Sequence, residues 1–208
     1  MLHLPEIILR GREVMLRPLT RVDVTALAAA SGESREHYQY NPVPEGVQGA
    51  AAYVEHALAS KANGSRYPFA ISFRDRVVGT TSYSDFQPWL WAVPSAHQRT
   101  DRPNAVEVGY TWLAASAQRT ACNTEAKLLL FEHAFEVWQV HSVCLRTDVR
   151  NQRSRRAIER VGATFEGVRR AHAPGADGTV RSSAFFSIVG EEWPSVQARL
   201  RRRLGWER

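Results

Sequence analysis

Alternating apolar and polar positions recur in short stretches along the chain, and this pattern predicts β-strands. The turn at Arg74–Asp75–Arg76 divides one long stretch into two strands, and Asp177–Gly178 indicates a hairpin turn between the last two. The predicted strand segments are "EVMLRPLT", "PFAISFRDRVVGTTSYSDF", "AVEVGYTWL", "SVCLRTDV", "ATFEGVRRAH" and "SSAFFSIV".

Helical patterns lie between these strands. A capping box of Thr20 and Asp23 opens the first helix, Gly162 takes a C-cap position, and Pro194 stands in the first turn of the last helix. The helical segments are "VDVTALAAAS", "AAAYVEHALASKANG", "KLLLFEHAFEVW", "SRRAIERVGA" and "PSVQARLRRRL". This interleaving predicts a mixed α+β protein whose residues 1–208 form one domain.

The helix "KLLLFEHAFEVW" is predicted to be largely buried. Leu128, Phe131, Phe135 and Trp138 follow one another at spacings of three, four and three, which places them on one stripe. Four further apolar residues widen that stripe: Leu129, Leu130, Ala134 and Val137.

Two segments lack a regular period and are predicted to be loops. The first is "REHYQYNPVPEG"; the second, residues 87–104, carries three prolines, two tryptophans and a histidine. A loop of this length in a compact domain is usually a functional lid or a disordered segment, and the tryptophans argue against plain disorder.

Composition places the chain among soluble globular proteins, with 44% hydrophobic and 23% charged residues. No apolar run is long enough for a membrane span, and the N-terminus has no signal-peptide pattern. The two cysteines, Cys122 and Cys144, exclude a cysteine-rich zinc site and are typical of a reducing cytoplasm.

The net charge of +6 is concentrated in "RNQRSRRAIER" and in the C-terminal segment "QARLRRRLGWER". The basic residues have three interpretations: solvated helix faces, attraction of an anionic cofactor, or nucleic-acid binding. The C-terminal arginines fit the polar side of an amphipathic helix. Nucleic-acid binding is disfavoured, because neither an aromatic-and-basic strand motif nor a recognition-helix signature is present.

The segment "SAQRTACNTEAKLLLF" leads from a strand into the buried helix. The first N–H groups of a helix have no intrahelical partner and carry the positive end of its dipole, so they can hold a phosphate. Arg119 and Lys127 add formal charge near this end. Simple capping by Asn123 or Thr124 is the alternative, and the residues alone leave the two open.

The block "VEVGYTWLAASAQRTACNTEAKLLLFEHAFE", with the following "LRTDVRNQRSRRAIERVGATFEGVRR", resembles the GNAT N-acetyltransferase superfamily, and within it the RimJ/RimL-like branch. The resemblance is strongest over residues 105–190. It implies the acyl-CoA N-acyltransferase fold, a mostly antiparallel twisted sheet flanked by helices, with acetyl-CoA as co-substrate and no metal. The implied cofactor contacts are Tyr110, Trp112, Leu113, Gln118, Arg119, Thr120, Ala121, Cys122, Asn123, Thr124, Asn151 and Ser154.

One position departs from the family pattern for the pyrophosphate loop, Gln/Arg-x-x-Gly-x-Gly/Ala. Ala121 stands where the first glycine is usual. An alanine is strained at positive φ but not in helical or bridge geometry, so the outcome depends on the backbone conformation there. We expect coenzyme A binding to survive, because the helix N–H groups do most of the holding.

Acetyl transfer needs a neutral amine, donors for the developing oxyanion and a proton for the leaving thiolate. By resemblance Glu107 is the candidate base, although a solvent-facing strand residue is the plain alternative. Ser154 is the candidate donor to the thiolate. Backbone N–H groups around Tyr110 to Leu113 are the candidate oxyanion donors, by analogy alone.

The acceptor is predicted to be a primary amine, either a protein N-terminus or a small molecule, and the resemblance does not separate the two. Tyr40, Trp89 and Trp91 are the predicted acceptor contacts; surface packing and a homodimer interface are the alternatives. His97 and His172 are further candidates without a nameable partner. A lowered thiol pKa at Cys122 would permit an acyl-cysteine route, but a small packed residue is the better interpretation.

The leading prediction is therefore a cytoplasmic, acetyl-CoA-dependent N-acetyltransferase that works by direct attack in a ternary complex. The alternative is a catalytically silent acyl-CoA-binding protein acting as a sensor or partner. Ala121 is the feature that favours the alternative.

Overall fold

The computed structural model describes residues 4–206, so the first three and last two residues of the predicted 1–208 domain lie outside the described part. One mixed sheet organises this part of the chain. Its strands are β1 (Leu9–Arg10), β2 (Val14–Pro18), β3 (Arg66–Phe73), β4 (Arg76–Gln87), β5 (Ala105–Leu113), β6 (Ser142–Asp148), β7 (Thr164–Pro174) and β8 (Val180–Val189). All the predicted strands are present, and the short β1 is an addition.

Five α-helices are found in the same described range, with the predicted order and slightly different ends. They are α1 (Val24–Gly32), α2 (Gly46–Ala62), α3 (Cys122–Glu132), α4 (Gln152–Val161) and α5 (Trp193–Arg203). Gly162 follows α4 with φ +107°, a left-handed conformation that glycine adopts without strain, so the predicted C-cap is confirmed. No described helix is long and apolar enough to cross a membrane.

The sheet has the order β1-β2-β3-β4-β5-β6-β8-β7, and only β5 and β6 run parallel. The connection between these two strands passes through α3, as a parallel pair requires. Every other neighbouring pair is antiparallel. The predicted mostly antiparallel α+β fold is thereby confirmed.

Helices cover both faces of the sheet. Successive side chains of β4 point to opposite faces, and the middle of this strand is buried throughout. On one face Thr80 shares a 2.7 Å hydrogen bond with the hydroxyl of Tyr53 in α2; on the other, Tyr83 donates to the carbonyl of Leu130 in α3 at 2.6 Å. Because both faces are covered, the buried hydroxyl groups of this strand, such as those of Thr80 and Tyr83, need hydrogen-bond partners within the protein.

The apolar stripe of the central helix is buried, as predicted, through Leu128, Phe131, Phe135 and Trp138. Val137 was also placed in the stripe, and this was wrong: its side chain is 58% exposed. A π-helical turn at His133–Val137 follows α3, with Trp138 N–H bonded to His133 C=O. The wider turn rotates the chain away from the 3.6-residue period that the prediction assumed.

The buried carboxylate of Glu125 ties the start of α3 to the β1–β2 turn. Its Oε1 accepts the backbone N–H groups of Arg12, Glu13 and Val14 at 2.5, 3.0 and 3.2 Å. A Cβ at Gly11 would collide with the same oxygen, so the turn needs a glycine there. This anchor fixes where the helix begins.

Candidate active site

A fork between the two parallel strands forms the centre of the site. β5 and β6 pair only at Ala105–Ser142, Val106–Val143 and Glu107–Cys144, and beyond the last pair they separate. A cavity of about 480 Å³ lies there, within the size range of small-molecule and cofactor sites. It is also lined by residues from the starts of α3 and α4.

Glu107 is buried at the point where the strands part, and its carboxylate lines the cavity. Arg146, on β6, donates to Glu107 Oε2 over 2.9 Å. A Cβ at Gly109 would lie 2.7 Å from Glu107 Oε1, so the absence of a side chain at Gly109 leaves room for this carboxylate. The interpretation of Glu107 as a solvent-facing strand residue is therefore incorrect.

Burial raises the pKa of Glu107 to about 7, even though Arg146 acts in the opposite direction; the nearby Asp85 carboxylate adds to the rise. Desolvation exceeds the attraction of the ion pair here because the carboxylate is almost fully removed from water. A carboxylate with this pKa exchanges a proton readily near neutral pH.

A bulge interrupts the β4–β5 ladder beside Glu107. Thr80 pairs with Trp112 and Ser82 with Gly109, which leaves an extra residue in β5. Tyr110 takes up the bend at φ +52°, and the Arg66 guanidinium lies 4.0 Å from the centre of its ring. Bulges of this kind take backbone groups out of the ladder and are common next to active sites.

The side chain of Lys127, on α3, reaches β5 close to the bulge. Its buried Nζ donates to Thr111 Oγ1 at 2.7 Å, and Thr111 shares a 2.8 Å hydrogen bond with Thr81. Burial lowers the pKa of Lys127 to about 7, and Glu107 opposes that shift. The prediction that Lys127 adds charge for a phosphate is thus wrong, because the amine is buried beside Thr111 and Glu107.

The loop before α3 shows why an alanine is tolerated at the glycine position. Ala121 has φ −66° and ψ −18°, which is helical geometry without strain for an alanine. The positive φ of this loop, +60°, falls on Arg119. Thr120 Oγ1 accepts the N–H of Cys122 at 3.2 Å, so a hydroxyl caps the helix from the position before the alanine.

Positive charge gathers around the start of α3 and along α4, from Arg153 in its first turn to Arg160 in its last. Arg119, Arg153 and Arg160 lie close enough that Arg119 and Arg160 help burial to lower the pKa of Arg153. No carboxylate of residues 4–206 forms an ion pair with any of the three. Gln118 accepts from Arg153 at 2.6 Å and donates to the carbonyl of Leu113 at 2.7 Å, which links this corner to the end of β5. Like charges without ion-pair partners, two of them beside helix N-termini, favour a bound anion.

Asn151 and Ser154 begin α4 at the other side of the cavity, which both residues line. The Asn151 side chain accepts the N–H of Ser154 at 2.9 Å, which is a side-chain N-cap. The capping interpretation of Asn151 is therefore confirmed. Capping also fixes the start of the helix, so that the Ser154 hydroxyl stands in the cavity wall.

The structure brings together eight of the predicted catalytic and cofactor residues in the cavity wall: Glu107, Tyr110, Trp112, Leu113, Gln118, Asn123, Asn151 and Ser154. Five others form the adjoining loop and helix start without lining the cavity: Arg119, Thr120, Ala121, Cys122 and Thr124. Within this second group, Cys122 is fully buried, and burial raises its thiol pKa to about 12. Desolvation outweighs the helix terminus there, which disfavours an acyl-cysteine route.

The predicted acceptor contacts do not line the cavity. Trp89 stacks on His141 at 5.1 Å, and Trp91 lies 5.7 Å from His97, so both tryptophans belong to an aromatic cluster formed by the 88–104 loop and His141. Asn104 at the base of that loop accepts the N–H of His141, just ahead of β6 and at the opposite end of β5 from the widening fork. Tyr40 lies beneath the Arg150 guanidinium, at 4.8 Å. The surface-packing alternative describes these residues better.

Sequence reasoning missed three charged residues that line the cavity, Arg146, Arg153 and Arg181, and it gave Lys127 a different role. Lys127 carried a visible signal, since it precedes Phe131 by four residues and so lies on the buried stripe of the helix. Arg146 lies beyond the last β5–β6 pair, where β6 pairs with β8 alone, and this separation gives the side chain access to the cavity. His172 is also in the wall, as one of the two histidines considered.

The donor set suits an elongated anionic thioester such as acetyl-CoA. The site combines the N-terminus of α3, arginines without ion-pair partners, the separated strands β5 and β6, and the buried carboxylate of Glu107. Among residues 4–206 no group of three or more His, Cys, Asp or Glu side chains is arranged to hold a metal ion. A sheet whose two parallel strands separate around such a site is typical of acyl-CoA-dependent acyltransferases.

Comparison with known proteins gives the family. The model of the GNAT acetyltransferase domain matches residues 13–164, and the chain belongs to this family. The chain is therefore an N-acetyltransferase, of a family that uses acetyl-CoA as acetyl donor. No curated protein matches the sequence.

Solved structures agree over almost the full length. A candidate acetyltransferase of T. thermophilus is 33% identical, with a TM-score of 0.81, covering 98% of this chain and 100% of the other. A second candidate acetyltransferase is 34% identical, with a TM-score of 0.80 and coverage of 98% and 96%. RimJ of Mycobacterium smegmatis, solved with CoA-disulfide, shares the fold at 22% identity, a TM-score of 0.74 and coverage of 96% and 94%.

Proposed function

We propose that this chain transfers an acetyl group from acetyl-CoA to a primary amine by direct attack, with both substrates bound together in the forked cavity. The observation that carries the proposal is Glu107, a buried carboxylate with a pKa of about 7 at the point where β5 and β6 part. When bound, acetyl-CoA supplies an activated acyl group with a thiolate as leaving group.

The N-terminus of α3 and the arginines beside it would hold the diphosphate. Arg119 and Arg153 supply formal charge, and the first-turn N–H groups of Asn123 and Thr124 have no intrahelical acceptor. The helical φ of Ala121 removes the feature that favoured a silent acyl-CoA sensor. We therefore propose that coenzyme A binds without a conformational change in the loop that precedes α3.

Glu107 would take a proton from the amine, directly or through a water molecule, and so provide the neutral nucleophile. Arg146 holds the carboxylate in place from β6. The N–H groups near the bulge at Tyr110 would donate to the acetyl carbonyl oxygen as it gains charge. The Ser154 hydroxyl would donate to the departing sulfur.

A thiol-release assay over a panel of amines, with products identified by mass spectrometry, tests this proposal. The panel holds peptides with free α-amino groups and small primary amines, because the RimJ/RimL-like resemblance leaves both classes open. We expect acetylation of at least one class and a turnover loss of about tenfold or more in Ser154→Ala. Tight coenzyme A binding without turnover on any amine would contradict it and favour the sensor.

A further inference from the structure

An arginine without a carboxylate partner stands in the cavity wall near Glu107. Arg181 of β8 is half-buried and lines the cavity, and its Nε donates to Ser183 Oγ at 2.9 Å. No carboxylate of residues 4–206 lies within ion-pair distance of its guanidinium. Its two terminal nitrogens therefore keep their donors for a ligand.

The neighbouring arginines are already paired. Arg146 binds Glu107 at 2.9 Å, and Arg150 binds Asp148 at 2.7 Å and Asp177 at 2.8 Å. Among the described residues, Arg181 is thus the guanidinium of this part of the wall that forms no direct ion pair. Burial lowers the pKa of Arg181; the Asp148 and Glu107 carboxylates oppose this shift, and the charge of Arg146 adds to it. An anion bound to the guanidinium would act in the same direction as the two carboxylates.

A second bulge builds the wall around Arg181. Between the pairs Arg169–Ser183 and Ala173–Arg181, β7 contains two more residues than β8. Ala171 accommodates the excess at φ +47°, and its N–H donates to Ser182 Oγ at 3.2 Å. The irregular segment leaves His172 and Ala173 in the cavity wall.

Ser183 holds the side chains of Arg181 and His172 together. Its buried Oγ accepts from Arg181 and forms a 2.9 Å hydrogen bond with His172 Nδ1. A shared, fully buried hydroxyl fixes the position of both groups relative to the strand. The guanidinium is therefore positioned for a ligand in the cavity, unlike an exposed arginine on a flexible stem.

Arg181 also lies apart from the corner assigned to the diphosphate. The charges that act on it are those of Asp148, Arg146 and Glu107, all on the strands that form the fork. Arg119 and Arg153, in contrast, act on each other at the starts of α3 and α4. The cavity thus has two cationic regions, one at the helix ends and one beside the proposed base.

We propose that the acceptor carries an acidic group, a carboxylate or a phosphate, which Arg181 binds while the acceptor amine faces Glu107. The inference rests on the proposed function and narrows its substrate class to amines that bear an anion. A bidentate guanidinium–anion pair would orient the amine as well as attract it. A neutral or purely cationic amine would lack that partner and leave Arg181 without an ion pair.

A binding experiment tests the anion site without knowledge of the acceptor. Sodium succinate and inorganic phosphate are titrated separately into protein saturated with coenzyme A, which occupies the other cationic region, and arginine Nε resonances are followed by NMR. We expect saturable binding of at least one anion, weakened tenfold or more in Arg181→Gln. The matched control is Arg156→Gln, an exposed arginine of α4, with unchanged binding. The preferred anion distinguishes carboxylate from phosphate.

A turnover experiment then compares matched acceptors that differ by one charge. Aspartate is paired with asparagine, and peptides beginning with Asp are paired with peptides beginning with Asn. We expect kcat/KM to favour the acidic member at least tenfold, and Arg181→Gln to reduce this preference to less than threefold. Anion binding that is independent of Arg181, or equal turnover within the pairs, would overturn the inference while leaving acetyl transfer intact. Failure of coenzyme A to bind would instead overturn the proposed function.

Discussion

Glu107 combines two conditions that rarely coincide for a carboxylate: an arginine partner 2.9 Å away and a pKa raised to about 7. The arginine alone would keep the group ionised over the whole physiological range. Burial offsets that effect, so the group is half ionised near pH 7 and can both accept and release a proton. The residue's position at the strand fork thus determines its chemistry.

Glu107→Gln should lower kcat by about 10²–10³-fold with coenzyme A affinity unchanged, since an amide cannot accept the amine proton. The wild-type rate should rise with pH through about 7, because the base acts in its ionised form and its pKa lies there. That acidic limb should disappear in the variant. Steady-state rates from pH 5.5 to 9 check both points.

The control is Glu159→Gln, an exposed glutamate of α4, which should keep the wild-type rate and profile. An unchanged rate in Glu107→Gln would remove this carboxylate from the mechanism.

Lys127 is the converse case, a buried amine whose folded-state pKa of about 7 lies below its ordinary 10.5. The unfolded chain binds the proton more strongly between these values, so the lysine costs stability that is fully present below pH 7 and disappears as pH rises towards 10.5. Lys127→Met removes this cost. We expect the variant to melt above wild type at pH 6.5, with a smaller difference at pH 9.5.

Differential scanning calorimetry at the two pH values measures this. The same gain at both would show that packing rather than protonation accounts for the effect of Lys127→Met.

At the level of elements, the turn into α3 uses different residues for the left-handed backbone conformation and for the start of the helix. A single glycine often serves both purposes. The left-handed residue is Arg119, at φ +60°, and the helix begins through Thr120 and the helical Ala121. Strain therefore falls on a charged residue next to the proposed diphosphate site. Strained backbone of this kind costs on the order of 1–3 kcal/mol and is typical of functional loops.

Two glycine substitutions in this turn should have opposite effects. Ala121→Gly should lower the free energy of unfolding by about 0.5–1 kcal/mol, because glycine loses more backbone entropy in helical geometry, and should keep coenzyme A affinity within about twofold. Arg119→Gly should leave stability equal or higher, by up to about 1 kcal/mol, and weaken coenzyme A binding several-fold through loss of charge.

Urea unfolding and calorimetric titration of coenzyme A give the two quantities for each variant. Tighter binding by Ala121→Gly together with higher stability would show that the loop geometry differs from the one described.

The sequence predicted elements well wherever a local period determines them. β5 coincides with "AVEVGYTWL", and the apolar stripe of α3 is buried as its spacing requires. Val137 and the bulge at Tyr110 were out of reach, since a π-turn and an extra strand residue depend on tertiary contacts that no local pattern records.

The site residues also divide into those that the sequence could indicate and those that depend on tertiary structure. Glu107, Asn151 and Ser154 were identified through resemblance and lie together in the cavity, whereas Arg146 and Arg181 come from strands whose pairing is not readable from spacing. Trp89 and Trp91 were chosen for their chemistry alone, and they pack with histidines of their own loop region. The type of a residue indicates a ligand contact only when the fold also directs its side chain into the site.

At the scale of the whole molecule, the fork is a weak point in an otherwise continuous sheet. β5 and β6 share three residue pairs, and further along no strand pairing joins them in the described part of the chain, where the ion pair of Arg146 with Glu107 lies at the branch point. The basic C-terminal helix does not compensate for this, because Arg201 is paired with Glu132 of α3 and the helix packs through Val196 and Leu200. A ligand that bridges the fork should therefore stabilise the entire fold.

Coenzyme A at a hundred times its Kd should raise the free energy of unfolding by about 2.7 kcal/mol, and hence Tm by about 5–10 °C for a chain of this size. Dephospho-coenzyme A, which lacks the 3′-phosphate, should give a smaller shift at equal concentration if the arginines at the helix ends bind both phosphate groups. Hydrogen exchange should slow most in the separated parts of β5 and β6, because there the ligand replaces the missing strand-to-strand hydrogen bonds. An unchanged Tm, or protection confined to the surface of α5, would show that the ligand does not occupy the fork.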